Sequence, residues 1–274
     1  MTRMITIFVQ EFRLARRNLW VLLATGVLTL FALALAFLGA GQGAALKADV
    51  LSLTAASLAT LSVYLIPLIA LLMSYDAFSG EVERGTLALT LATPVRRWEL
   101  FGAKFLAQTV AAGTAIAISF LLAGAAVVLV YGAAPAGLAA WASLTASSIA
   151  LGAVFVAVGL TLSAAAGRTA LAAAMAIGIW LVLVVLYDLA LLGGIMAAGE
   201  GVFASHVFPW LVLANPADAF RLYNLAALDA APVAGIDGLA RTLPFPPYAA
   251  LGALALWLAG ALALGIHRTK RIVL

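Results

Sequence analysis

Glu81, Glu83 and Arg84, then Gly85, Thr86, Leu87 and Leu89, with Pro94 after them, form the densest run of chemically distinctive residues in this chain. The acids crowd the first turn of a short helix expected over Glu81–Ala92, where they suit its dipole, and Gly85 permits a bend or a close approach. Leucines at 87, 89 and 91 make the segment too apolar for a free loop in water. Acids that meet basic groups and a leucine that enters a pocket belong to protein recognition. A second reading stands beside it: a surface or re-entrant helix that packs only on its own chain.

Other chemistry finds few residues. No G-x-x-x-x-G-K-[ST] occurs, so the chain has no loop of that kind to cradle ATP phosphates and must borrow its energy. His206 and His267 are expected at opposite membrane faces and cysteine is absent, which leaves neither a convincing metal pair nor a redox motif. Met73 and Met175 are the thioethers expected within spans, where filling of the core suits them. No catalytic residue, resident metal or cofactor is expected here.

The elements that carry these residues follow from composition. The sequence is 66 % hydrophobic and 9 % charged, with a mean hydropathy of +1.16, and its apolar runs reach the length of membrane-spanning helices. Those runs are rich in Ala and Leu and apolar all round, unlike the alternating strands of a membrane β-barrel. An all-α membrane protein with six transmembrane helices results, with spans expected near Leu19–Gly39, Ala55–Ser74, Phe105–Tyr131, Trp141–Ala164, Ala170–Leu192 and Tyr248–Ile266. The first is too long for a signal-peptide core and is read as retained. Before it, residues 4–17 set Ile5, Phe8, Val9, Phe12 and Ala15 on one face, so 1–18 is expected as an interfacial helix. Pro67 should loosen the second span.

An even number of spans puts both termini on one side. With those termini inside, 12 of the 15 Lys and Arg residues fall in cytoplasmic segments and Lys47, Arg221 and Arg241 outside. That split obeys the positive-inside bias, and it accounts for the pI near 9.7 without nucleic acid. The segment 75–104 is therefore expected in the cytoplasm and 193–247 outside, all within one membrane domain over 1–274. In the outer segment Asn215-Pro216-Ala217-Asp218 reads as a helix start, with a short helix to about Leu228, and Val207–Leu213 is too short to span. Asp188 lies about 27 Å along its span, near the outer interface. It is either a pathway or gate residue or an interfacial acid that caps or pairs.

The run Tyr75–Leu87, with Pro94 and then Glu99-Leu100-Phe101-Gly102-Ala103-Lys104-Phe105, resembles the signature of ABC-2-type transporter permeases: an acidic pair, Gly-Thr-Leu, a leucine-rich turn, a proline, and Gly-x-Lys opening the third span. The resemblance covers essentially the whole chain. It implies the type V exporter-like fold, with Glu81, Glu83, Arg84, Gly85, Thr86, Leu87, Leu89 and Pro94 in a coupling helix that docks on a separate cytoplasmic ATPase, where ATP and Mg bind. Met73–Ala77, Leu186-Tyr187-Asp188-Leu189 and Pro209–Leu222 further resemble the permeases that serve copper-site maturation of nitrous oxide reductase in denitrifying bacteria. That resemblance implies a homodimer in the bacterial inner membrane, an ATPase of the NosF kind and a periplasmic β-helical protein of the NosD kind. Trp210, Asn215, Asp218 and Arg221 are then candidate contacts for the periplasmic protein. The alternatives are an ABC-2 exporter of an unrelated substrate, a stand-alone secondary carrier or channel, and a structural anchor. A carrier would place ionisable or broken-helix sites near the midplane, where little beyond Asp188 and Pro67 is available.

Overall fold

The computed structural model describes residues 2–16, 19–46, 49–198, 203–226 and 244–272, and every element among them is helical. The apolar runs form α2 (Leu19–Leu46), α3 (Val50–Ser74), α6 (Arg97–Tyr131), α7 (Pro135–Ala166), α8 (Thr169–Trp180) continued through a π-helical turn into α9 (Tyr187–Ala198), and α12 (Ala249–Lys270). Five of these stretches are long and apolar enough to cross a membrane, and α2 adds a shorter apolar stretch over Val21–Phe37. Each expected span thus falls on a helix, though several helices outrun the apolar core. The α6 helix starts eight residues before the expected Phe105 because Glu99 accepts the Arg96 backbone N–H at 2.9 Å and caps it inside the charged insert. Pro135 opens α7 as its first residue, where its missing N–H costs nothing.

Of the long apolar helices the most enclosed is α7, which packs on α3, α6, α8 and α12. Two thirds of its most apolar stretch is buried, against about one sixth for α8–α9 and α12. Small residues set the close crossings, since a Cβ at Gly159 would run into Ser74 and one at Gly265 into Phe101. Pro67 lies inside α3, whose helix continues through it. The amphipathic α1 (Thr2–Arg16) packs on α6 through Ile7, Phe12 and Ala15, while Ile5 and Val9 remain exposed. The expected single apolar face is therefore divided between the bundle and the surroundings.

Contacts between helix ends define two faces. At one, Arg97 donates to the carbonyls of Thr269, Lys270 and Ile272 at 2.9–3.1 Å and so ties the start of α6 to the end of α12. At the other, Asp49 caps α3 by accepting from Ser52 N at 3.1 Å and also accepts from Ala134 N at 3.3 Å, beside the start of α7. These are called the insert face and the far face below.

Candidate functional site

At the insert face the expected helix Glu81–Ala92 is broken in two: α4 (Ser79–Glu83) and α5 (Thr86–Ala92). Gly85 causes the break, because its φ of +70° is a left-handed conformation that an L side chain adopts only at a cost. The orphan N–H groups of Phe78 and Ser79 at the start of α4 are satisfied by Ser163 Oγ of α7 at 2.9 and 3.0 Å. Beyond the break, leucines 200° apart on a helix cannot share a face. Leu87 is 1 % exposed and joins the bundle core, whereas Leu89 is 72 % exposed. Leu87, the leucine expected to enter a partner's pocket, is therefore corrected to a core residue, and Leu89 is the one that faces outward.

Glu83, Arg84, Gly85 and Thr86 are exposed, as are Pro94 and Trp98. Glu83 is nevertheless held: Thr169 donates to it from Oγ1 at 2.6 Å and from its backbone N at 3.1 Å, which lowers its pKa below the ordinary carboxylate value. Glu81, expected as an outward contact, turns inward and takes an ion pair from Lys104 Nζ at 2.7 Å. Lys104 also pairs with Glu11 of α1 at 2.7 Å and is 1 % exposed. This lysine was legible only as the residue opening a span; its two partners lie 93 and 23 positions away.

At the far face, α10 (Phe208–Ala214) and α11 (Pro216–Ala226) form a short helical pair, and α11 packs against α3, α7 and α12. The helix start at Asn215 is as expected: its Oδ1 accepts from Ala217 N at 2.9 Å. Its Nδ2 reaches the carbonyl of Leu183, inside the π-helical turn Leu181–Leu186. A π turn loosens the regular ladder of its helix, and here a carbonyl in it takes a side-chain donor. The helix end expected near Leu228 lies outside the described residues.

Arg221 donates to Asp188 Oδ1 at 2.8 Å and pairs with Asp218 one turn back on its own helix. Tyr64 of α3 donates to Asp188 at 3.2 Å. Asp188 is thus paired with Arg221 and Tyr64. Asn215, Asp218 and Arg221 are all buried, and of the four residues expected to touch an outside protein only Trp210 is exposed, at 55 %. The reason is electrostatic: carboxylates and a guanidinium placed against apolar helices are stable only when they satisfy one another. Tyr187 Oη and Trp257 Nε1 donate to the carbonyls of Leu211 and Ala214 at 2.7 and 2.8 Å and fasten α10 on either side. The spacing of Asp218 and Arg221 at i and i+3 was the available signal.

Comparison of the chain with known proteins identifies its family. Residues 5–272 match the family described as ABC-2 family transporter protein. A protein of Pseudomonas aeruginosa described as "Probable ABC transporter permease protein NosY" is 38 % identical over 97 % of this chain and 98 % of its own length. A protein of the same description from Stutzerimonas stutzeri is 35 % identical over 93 % of each. By family match and by full-length similarity alike, the chain belongs to the ABC-2 family of transporter permeases.

Proposed function

We propose that this permease couples a separate cytoplasmic ABC ATPase, of the NosF kind, to work at the outer side of the bacterial inner membrane in copper-centre assembly of nitrous oxide reductase. The single observation that carries the reading is the exposed insert, in which Gly85 breaks the helix and Leu89 projects outward beside the exposed Glu83, Arg84 and Thr86. Full-length similarity to proteins described as NosY permeases supports the narrower assignment. The insert face is then cytoplasmic, with both termini, in keeping with the 12 to 3 distribution of Lys and Arg. The whole chain acts as one membrane domain, with 1–18 interfacial, 75–104 the coupling segment and 193–247 the periplasmic loop, and it works as a homodimer.

The output is mechanical work on a periplasmic protein of the NosD kind, or movement of a small neutral or sulfur-containing species, rather than relay of copper along the chain. A chain without cysteine offers no thiolate ladder for a soft metal. Affinity purification from native membranes with mass spectrometry tests the partnership: an ATPase and a periplasmic protein in roughly equal amounts with the permease are expected, and recovery of neither contradicts it. ATP-dependent uptake of copper into vesicles would overturn the assignment of the output.

A further inference from the structure

Lys104 lies about two helical turns into α6, which starts at Arg97, and it joins elements that otherwise pack on different neighbours. Its ammonium holds Glu11 Oε1 of α1 and Glu81 Oε1 of α4, each at 2.7 Å. The α1 helix packs on α6, whereas α4 packs on α7 and α8. The lysine is fixed from a third side by the ring of Phe78, 5.5 Å from Nζ, and Phe78 itself stacks on Phe101 of α6 at 5.9 Å. Beside the pair lies a cavity of about 140 Å³ lined also by Asp76, Arg84 and Gln108. The second oxygen of Glu81 and Oε1 of Gln108 are buried with no hydrogen-bond partner among the described residues, and a cavity of that size and polarity admits water to them.

We infer that Lys104 is a positioning residue, an ionic clamp that ties the insert to the N-terminal helix, so that displacement of α4 and α5 by a docked ATPase moves α1 and the start of α6 with it. The inference rests on the reading of the insert as the ATPase-docking segment. An ammonium suits this role better than a guanidinium. It is a compact charge with three rotatable donors, able to keep two carboxylates from different helices as they shift, where a planar fork would fix one geometry. The clamp carries two acids on one base, so removing Glu11 leaves a balanced Lys104–Glu81 pair and cuts only the arm to α1.

The test uses the permease in complex with its ATPase in lipid nanodiscs and exploits the absence of cysteine from the chain. Spin labels on Gln10→Cys and Ala92→Cys, both exposed positions, report the distance from α1 to α5. A second pair, Ala92→Cys with Leu256→Cys, reports movement of α5 against α12. On nucleotide trapping the second distance shifts and the first stays constant; in a Glu11→Ala background the first shifts as well, and Lys104→Arg retains the native behaviour only in part. Should Glu11→Ala fail to fold, Glu11→Gln, which keeps an acceptor without the charge, gives the same shift to a smaller extent. A constant α1–α5 distance in both Glu11 variants, with the ATPase bound and α5 moving, overturns the clamp alone. Absence of the ATPase from the unmodified complex overturns the docking reading, and the clamp's role with it.

Discussion

At the insert face one lysine holds two glutamates brought from separate helices, and at the far face one arginine holds two aspartates, one of them from its own helix. Both clusters place a single cation between two carboxylates in an apolar chain, yet the mechanical settings differ. Lys104 sits behind a surface whose neighbours Glu83–Thr86, Leu89 and Trp98 face outward. Arg221 sits inside a helical pair fastened by Asn215, Tyr187 and Trp257 to the bundle. The first region presents side chains to its surroundings, and the second is held by the chain itself.

The comparison breaks most readily at Arg221. Arg221→Met strands Asp188 and Asp218 in an apolar setting, an expected loss of about 3–5 kcal/mol, visible as a large fall in thermal stability in detergent. Arg221→Lys should recover only part of it, because an ammonium is more strongly hydrated than a guanidinium and has no counterpart of Nη1, which reaches Asp188 Oδ2 at 3.5 Å. Unchanged stability in Arg221→Met would show that the far-face pair is not held as described. Next in size is the link between the faces along α3 and α7. Gly159→Ala pushes a methyl group into Ser74 and should cost about 1–3 kcal/mol by overpacking, measured by the same melts.

Smaller changes sharpen the contrast. Tyr64→Phe removes one hydrogen bond to Asp188, an expected cost of about 0.5–1.5 kcal/mol, and a double-mutant cycle with Asp188→Asn should show coupling between the two. Leu89→Glu, at an exposed position, should alter stability by no more than about 0.5 kcal/mol while abolishing recovery of the ATPase in co-expression. A destabilisation as large as that of Arg221→Met would mean that Leu89 packs within the protein after all.

Much of the architecture was legible in the sequence because spans announce themselves by length and apolarity, and because the cap at Asn215-Pro216 is a local signal. The helix ends were less legible: α6 runs back into the insert through a side-chain cap at Arg96 and Glu99 that hydropathy does not register. Helical geometry alone separates Leu87 from Leu89 by 200°, so their opposite fates could have been read, though not which one faced inward. The Glu11–Lys104–Glu81 clamp could not, since it joins helices far apart in sequence. The inward turn of Asp218 and Arg221 depends on Asp188, 33 residues before Arg221, supplying the matching charge.

The central claim is that the insert face, and not the far face, receives the ATPase, and thiol labelling tests it most directly. In an otherwise cysteine-free chain, Leu89→Cys and Trp210→Cys place one exposed thiol at each face. Addition of the ATPase should slow maleimide labelling of Leu89→Cys strongly and leave Trp210→Cys unchanged. Equal labelling of Leu89→Cys with and without bound ATPase would contradict the account.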